Sequence, residues 1–350
     1  MTDRVKSEVV RKSLIQFAGA IAAILAAFVV GAVLMLLIHV DPILVYGRLF
    51  EGVVLNPYGI AQIFFKSTPL IFTGLAVALG FHAGLFNIGA EGQMTVGAFC
   101  AALAGFGLEL PAVLHVPLCL AAAFTGGMCW AMIPGALKIK TGAHEVITTI
   151  MMNFIALALM NYFVTARFHE PETVHTAAIF ATAVLPRLSA FSSFFHGSPA
   201  NVTFFIALAA CVAAGWMLWR TPLGYELRAL GLNPSAAETA GIPVSKTSFI
   251  AFALSGGLAG LAGTSFVLGY KHYFEEGFSS GAGFLGIAVA LLGQNRPLGI
   301  VLAALLFGGL SHGSLVINAL VPKEIIEVLQ ALVILLVVVS NYFTSRWTSK

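Results

Sequence analysis

Residues 14–40 contain no Asp, Glu, Lys or Arg, and nothing else in the chain restricts its fold so severely. About 20 apolar residues suffice for a helix to cross a bilayer. The run is also longer than the apolar core of a signal peptide. With the basic, polar MTDRVKSEVVRK ahead of it, it reads as an uncleaved first span.

Nine further apolar runs follow, at 60–80, 93–108, 113–137, 146–166, 202–219, 249–268, 282–292, 298–317 and 325–343. The second contains Lys66, whose stem can reach an interface, and the third and eighth are short for a full crossing. Backbone groups in hydrocarbon must be satisfied within the protein, by helices or closed barrels, and runs near 20 residues are the length of a helix, so helices are expected. Composition agrees: 59% of residues are hydrophobic and only 9% charged, where a soluble domain carries about a quarter charged. The expected fold is an all-α polytopic membrane protein of about ten transmembrane helices in one transmembrane domain over 1–350, some of them discontinuous. The 36 glycines suit helices that approach closely.

Lys and Arg set the orientation. With the N-terminus inside, Arg4, Lys6, Arg11, Lys12, Lys138, Lys140, Arg220, Arg228, Lys246, Arg296, Arg346 and Lys350 face inward. Arg48, Arg167, Arg187, Lys271 and Lys323 face outward. Twelve against five puts both termini in the cytoplasm. The same assignment puts 167–200, the longest loop, outside. That loop carries Pro171, Pro186 and Pro199 around a moderately apolar middle, which is expected to lie on the membrane surface.

Several chemistries are excluded or unsupported. No G-x-x-x-x-G-K-[ST] occurs, so the chain has no P-loop for ATP. No G-x-S-x-G elbow occurs. His144-Glu145 lacks the second His of H-E-x-x-H, since residue 148 is Thr148. Cys100, Cys119, Cys129 and Cys211 lie in apolar runs without paired spacing, which indicates neither a disulfide frame nor a metal site. A net charge of +3 does not suggest nucleic acid. The spans lack the run of embedded charges that a proton relay would need.

Three polar stretches remain. In 220–246, Thr221-Pro222-Leu223-Gly224 is a turn signal, and a short helical piece is expected over 225–230 with Glu226 near its start. Asn233 stands at an N-cap position, Pro234 at the first helical position and Gly241 at a C-cap. A second piece over 235–240 follows, with Ala236, Ala237 and Ala240 as a small-residue surface. A short helix between two spans is either an idle connection or a shape that docks in a partner's groove. In 84–93, three glycines accompany Asn87, Glu91 and Gln93. This is either an irregular break lining a cavity or a tight cytoplasmic loop with Glu91 in water. In 141–153, Thr149 and Asn153 share a helix face at i, i+4, where they either bind a substrate or join helices. A hexapeptide also recurs, Gly74-Leu-Ala-Val-Ala-Leu79 and Gly286-Ile-Ala-Val-Ala-Leu291, consistent with internal symmetry.

These stretches carry a resemblance. R-A-L-G-x-N-P-x-A-A-x-x-A-G-I over 228–242 resembles the coupling loop of permease subunits of bacterial ABC importers. G-L-F-N-I-G-x-E-G-Q over 84–93 and H-E-V-I-x-T-I-M-x-N over 144–153 are similar to segments of its nucleoside and simple-sugar branch, which also moves ribose and branched-chain amino acids. The resemblance extends over 60–310 with the motifs in matching order. It implies an importer permease of the bacterial inner membrane, for a nucleoside, a ribose-like sugar or a branched-chain amino acid. Implied partners are an ATP-binding subunit, a second permease subunit and an extracytoplasmic binding protein. The permease would hold no cofactor, with ATP and Mg on the ATP-binding subunit. Tyr225, Glu226, Arg228, Gly231, Asn233, Pro234, Ala236, Ala237, Ala240 and Gly241 would form the ATPase contact. Asn87, Glu91, Gln93, Thr149 and Asn153 would belong to the substrate path. A stand-alone secondary transporter and a membrane enzyme are the competing classes.

Overall fold

The structure, a computed structural model, describes residues 2–348, with side chains over 18–322 and 324–340. The side chains of Arg4, Lys6, Arg11, Lys12, Lys323, Arg346 and Lys350, used above for orientation, lie outside the described residues. The helices in chain order are α1 (Thr2–Leu37), α2 (Pro42–Phe50), α3 (Pro57–His82), α4 (Ala90–Gly107), α5 (Ala112–Thr141), α6 (Glu145–Phe163) and α7 (Thr203–Arg220). They continue with α8 (Pro222–Leu232), α9 (Pro234–Thr239), α10 (Val244–Leu261), the single turn α11 (Thr264–Phe266), α12 (Ala282–Leu292), α13 (Pro297–Val316) and α14 (Lys323–Thr348). Among the described residues there is no strand, only three isolated bridges.

Among the described residues, seven helical segments are long and apolar enough to cross a membrane: Ala18–Leu37, Pro57–His82, Ala112–Thr141, Glu145–Phe168, Thr203–Arg220, Val244–Lys271 and Pro297–Val316. They match seven of the ten expected spans. The expected third span is α4, whose first turn is polar, and the eighth is α12, of 11 residues. At 1.5 Å per residue α12 reaches about 16 Å, half a bilayer core. The expected tenth falls in α14, partly outside the described side chains. The multi-pass, all-α architecture is therefore as the apolar runs dictate, while seven of the ten expected spans are matched among the described residues.

The chain forms two compact units, one of residues 61–308 and one of residues 1–60 with 309–350. In the smaller, α1 packs along α14, and the Tyr46 hydroxyl donates to the Phe28 carbonyl at 2.7 Å. In the larger, α4, α5 and α10 form the centre. A Cβ on Gly127 of α5 would overlap the Gly256 carbonyl of α10, and one on Gly260 would overlap the Ala123 carbonyl. Gly97 brings α4 against the same Gly260. Lipid tails are as apolar as leucine, so helices gain from close packing rather than from leaving water, and glycines supply the approach.

The two recurring hexapeptides meet. A Cβ on Gly74 would stand 2.9 Å from Val289 Cγ1, and one on Gly286 would overlap the Thr73 hydroxyl. His82 and Asn295, farther along the two segments, are hydrogen-bonded at 2.9 Å. Contacts that advance together in number make α3 and α12 run parallel.

The 167–200 loop differs from expectation. Ile179, Ala183, Leu185 and Leu188 are buried within the protein instead of facing the membrane. Main-chain bonds account for this: Leu185 N–H donates to Leu268 at 2.9 Å, Ile179 to His272 at 2.8 Å and Thr176 to Phe274 at 2.9 Å. The acceptors sit in the irregular stretch after α10: Leu268 in the π-helical turn at Val267–Lys271, His272 and Phe274 just beyond it.

Candidate functional site

α3 ends in a Schellman turn. Leu85 N–H reaches the Gly80 carbonyl at 2.9 Å and Gly84 N–H reaches Phe81 at 3.0 Å, with Gly84 at φ +70°, where a glycine avoids the Cβ penalty. The chain then runs without helix until Ala90. The first amides of α4 have no intrahelical partner, and its N-cap, Gly89, offers no side chain. Residues from elsewhere supply the acceptors. Asn153 Oδ1 accepts from Gly92 N–H at 2.8 Å, and Asn87 Oδ1 accepts from Gly89 N–H at 2.9 Å.

Thr149 and Asn153, one turn apart on α6, both grip Ile88. Thr149 Oγ1 accepts from its N–H at 3.3 Å, and Asn153 Nδ2 donates to its carbonyl at 2.9 Å. Asn87 and Gln93 exchange amide hydrogen bonds at 3.0 Å each. Asn87 Nδ2 also donates to Ser255 Oγ at 2.8 Å, and Ser255 donates to the Ala76 carbonyl at 2.7 Å. The carboxylate of Glu91, only 4% exposed, faces the start of α12. Gly283 N–H donates to Oε2 at 2.7 Å, and the Ser279 hydroxyl donates to Oε1. A side-chain acceptor at a helix N-terminus satisfies an orphan amide.

All five residues expected along the path, Asn87, Glu91, Gln93, Thr149 and Asn153, are thus brought together and buried. The reading of 84–93 as a loop with Glu91 in water is overturned, because the carboxylate is enclosed by protein. Ser279 and Thr95 line a small cavity with Asn161 and Glu276, of about 10 Å³. Pockets that enclose a small molecule run to about 300 Å³ or more, so that cavity is closed to a solute in this conformation. Nothing in the sequence marks Ser255, Ser279 or Gly283: a lone serine in an apolar run and a Ser-Ser-Gly turn carry no pattern that points to a partner.

The second site is the loop between α7 and α10. Thr221 Oγ1 caps α8 by accepting from Gly224 N–H at 3.1 Å, so α8 starts at Pro222, earlier than expected, and runs to Leu232. Asn233 caps α9 as expected, accepting from Ala236 N–H at 3.1 Å, with Pro234 in its first turn. Gly241, at φ +84°, closes α9 by a second Schellman turn: Ile242 N–H to Ala237 at 3.0 Å and Gly241 N–H to Glu238 at 2.9 Å. α8 buries Leu227 and Leu230 and exposes Tyr225 and Leu232, the latter 88% exposed. Arg228 Nε donates to the Gly224 carbonyl at 3.3 Å, and Thr247 Oγ1 donates to Glu226 Oε2 at 3.5 Å.

Ala237 does not belong to the small-residue surface expected of α9. Ala236 and Ala240 are exposed, but Ala237 is buried at 3% exposure. It turns inward because Ile242, also buried, folds back to it through the Schellman turn. The polar segment at 138–145 also differs from a plain loop: α5 continues to Thr141, and Lys138 Nζ pairs with Glu145 Oε2 at 2.6 Å across the connection to α6.

Long apolar helices, a half-length helix and a buried polar break make this a polytopic all-α membrane protein. The chain belongs to the family described as branched-chain amino acid transport system / permease component, whose pattern matches residues 59–338. It is 38% identical over 322 residues to the guanosine ABC transporter permease protein NupP of Bacillus subtilis, covering 90% of this chain and 91% of that one. It is 35% identical over 325 residues to the nucleoside ABC transporter permease protein NupB of Lactococcus lactis, covering 91% and 89%. It is 34% identical over 331 residues to the glucose ABC transporter permease protein TsgB13 of Haloferax volcanii, covering 92% and 87%.

Proposed function

We infer that this chain is the permease subunit of an ATP-driven ABC importer and that its solute is a nucleoside. The observation that carries the reading is near-full-length similarity to two nucleoside-type permeases, from Bacillus subtilis and Lactococcus lactis. The glucose permease of Haloferax volcanii supports a second reading, a simple sugar.

The whole chain acts as one permease domain, with both termini and 220–246 in the cytoplasm and 167–200 outside. ATP and Mg sit on a separate ATP-binding subunit. A second permease subunit completes the path, and an extracytoplasmic binding protein delivers the solute. Tyr225, Leu232, Ala236 and Ala240 supply the exposed face toward the ATP-binding subunit, and Glu226, Arg228, Gly231, Asn233, Pro234 and Gly241 shape it. Ala237 supports that face from within. Asn87, Glu91, Gln93, Thr149 and Asn153 set the geometry of the break beside which the solute passes, and their mutual bonding supports a framework role over direct contact in the closed conformation.

The test is uptake by the reconstituted complex of permeases, ATP-binding subunit and cognate binding protein, with labelled guanosine, glucose and leucine in separate vesicles. Guanosine uptake dependent on ATP supports the nucleoside reading. Glucose uptake alone moves the chain to the sugar reading, and uptake without the ATP-binding subunit rejects the importer assignment.

A further inference from the structure

The break that carries Asn87 starts against the loop formed by α8 and α9. Gly84 and Gly231 meet main chain to main chain. A Cβ on Gly84 would stand 3.1 Å from the Gly231 Cα, and one on Gly231 would stand 2.9 Å from the Gly84 nitrogen and overlap the His82 carbonyl. With no side chain between them, a shift in the last turn of α8 reaches 82–84 without slack.

His82 gathers two more elements at the same point. Its ring stands edge-on to Trp219 near the end of α7, 5.5 Å between centroids. Its Nε2 donates to the Asn295 carbonyl at 2.9 Å. Asn295 and Gln294 hold φ of +55° and +54°, a left-handed turn that ordinary residues seldom adopt.

Three residues beyond Gly84 lies Asn87. Its two amide protons and its carbonyl oxygen are all engaged, with Gln93, Ser255 and Gly89. A buried polar cluster with every group satisfied is stiff, because any distortion strands a donor or acceptor in low dielectric.

We propose that Gly84 and Gly231 form the joint that passes movement of the α8–α9 loop to the polar network at 87–93. His82 is the positioning residue that ties the end of α7 and the 293–296 turn to that joint. This rests on the reading of 220–246 as the ATPase contact.

Two measurements on the assembled importer complex test it. The first is hydrogen exchange, with the permease alone, docked to its ATP-binding subunit, and docked with a nonhydrolysable ATP analogue. Docking is expected to protect 222–241, and the nucleotide analogue to change exchange across 83–89 by about fivefold or more. Protection of 222–241 with unchanged exchange at 83–89 overturns the joint alone. If docking protects neither stretch, the ATPase-contact reading fails and the joint with it. The second compares Gly84→Ala and His82→Ala with His82→Gln, whose amide can still donate toward Asn295. Per assembled complex, the first two are expected to keep ATP hydrolysis while solute moved per ATP falls about tenfold, and His82→Gln to recover part of it. If hydrolysis and uptake fall in proportion in all three, the positions are merely structural and the proposal is overturned. If the alanine variants do not assemble, the exchange result on the unaltered protein decides.

Discussion

Asn87 and Gln93 hold each other by two amide hydrogen bonds of 3.0 Å, one in each direction, across the start of α4. The pairing makes the break at 84–93 a fixed shape. Asn87→Ala removes four hydrogen bonds and leaves Gln93, Ser255 and Gly89 short of partners. One buried unsatisfied group costs about 1–3 kcal/mol, so the variant is expected to melt at lower temperature in detergent and to lose most uptake. Asn87→Asp, which keeps the shape but loses both donors, should behave similarly. Unchanged melting and uptake in both would remove the break from any part in transport.

Glu91 tests the link to α12. Glu91→Gln retains an acceptor for the Gly283 N–H, whereas Glu91→Ala leaves that amide unpaired. Loss of an N-cap acceptor costs about 1 kcal/mol, so Glu91→Ala should be the more impaired in thermal stability and uptake, with Glu91→Gln between it and the unaltered protein. The comparison is made at equal membrane levels. Equal behaviour of the two variants would contradict a capping role.

Leu232 is the test of the docking face. This leucine at the end of α8 is 88% exposed, and an anchor residue in an interface is worth about 2 kcal/mol or more. Leu232→Asp is expected to insert normally and to co-purify poorly with the ATP-binding subunit. Ala237→Trp does not serve this purpose, because Ala237 is inside and the bulk would disturb the loop itself. Full co-purification of Leu232→Asp would move the contact elsewhere, with the Lys138–Glu145 connection the next place to look.

Topology is tested by reporter tags. Tags at the N-terminus, near Asn233 and at the C-terminus should report cytoplasm, and one near Gly197 should report the outside. Opposite sides for Asn233 and the C-terminus would mean that the crossings after α10 do not number as expected.

How much was legible follows from the distance between partners. Apolar runs near 20 residues specify helices because a segment of that length satisfies its own backbone in hydrocarbon only as a helix, and the caps at Asn233 and Gly241 are local chemistry. Thr149 and Asn153 could be paired by their i, i+4 spacing. Ser255 and Ser279 could not be tied to Asn87 and Glu91, since they lie 168 and 188 residues away and no periodicity spans that interval. Ala237 misled for a different reason: in a helix of 6 residues, a row of alanines does not say which side turns inward. The 167–200 loop looked like a surface segment because its partners are main-chain carbonyls, which every sequence possesses.

The half-length of α12 has a consequence for biogenesis. Glu91 leaves the ribosome 192 residues ahead of Gly283, whose amide donates to its side chain. At about 5–20 residues per second, that interval lasts roughly 10–40 seconds. Throughout it, a carboxylate destined for the protein interior has no helix start to face, and the first half of the larger unit cannot close around it. A nascent chain arrested before Ser279 should therefore hold α4 loosely and be exposed to quality-control proteases, and release of the following few residues should end that vulnerability.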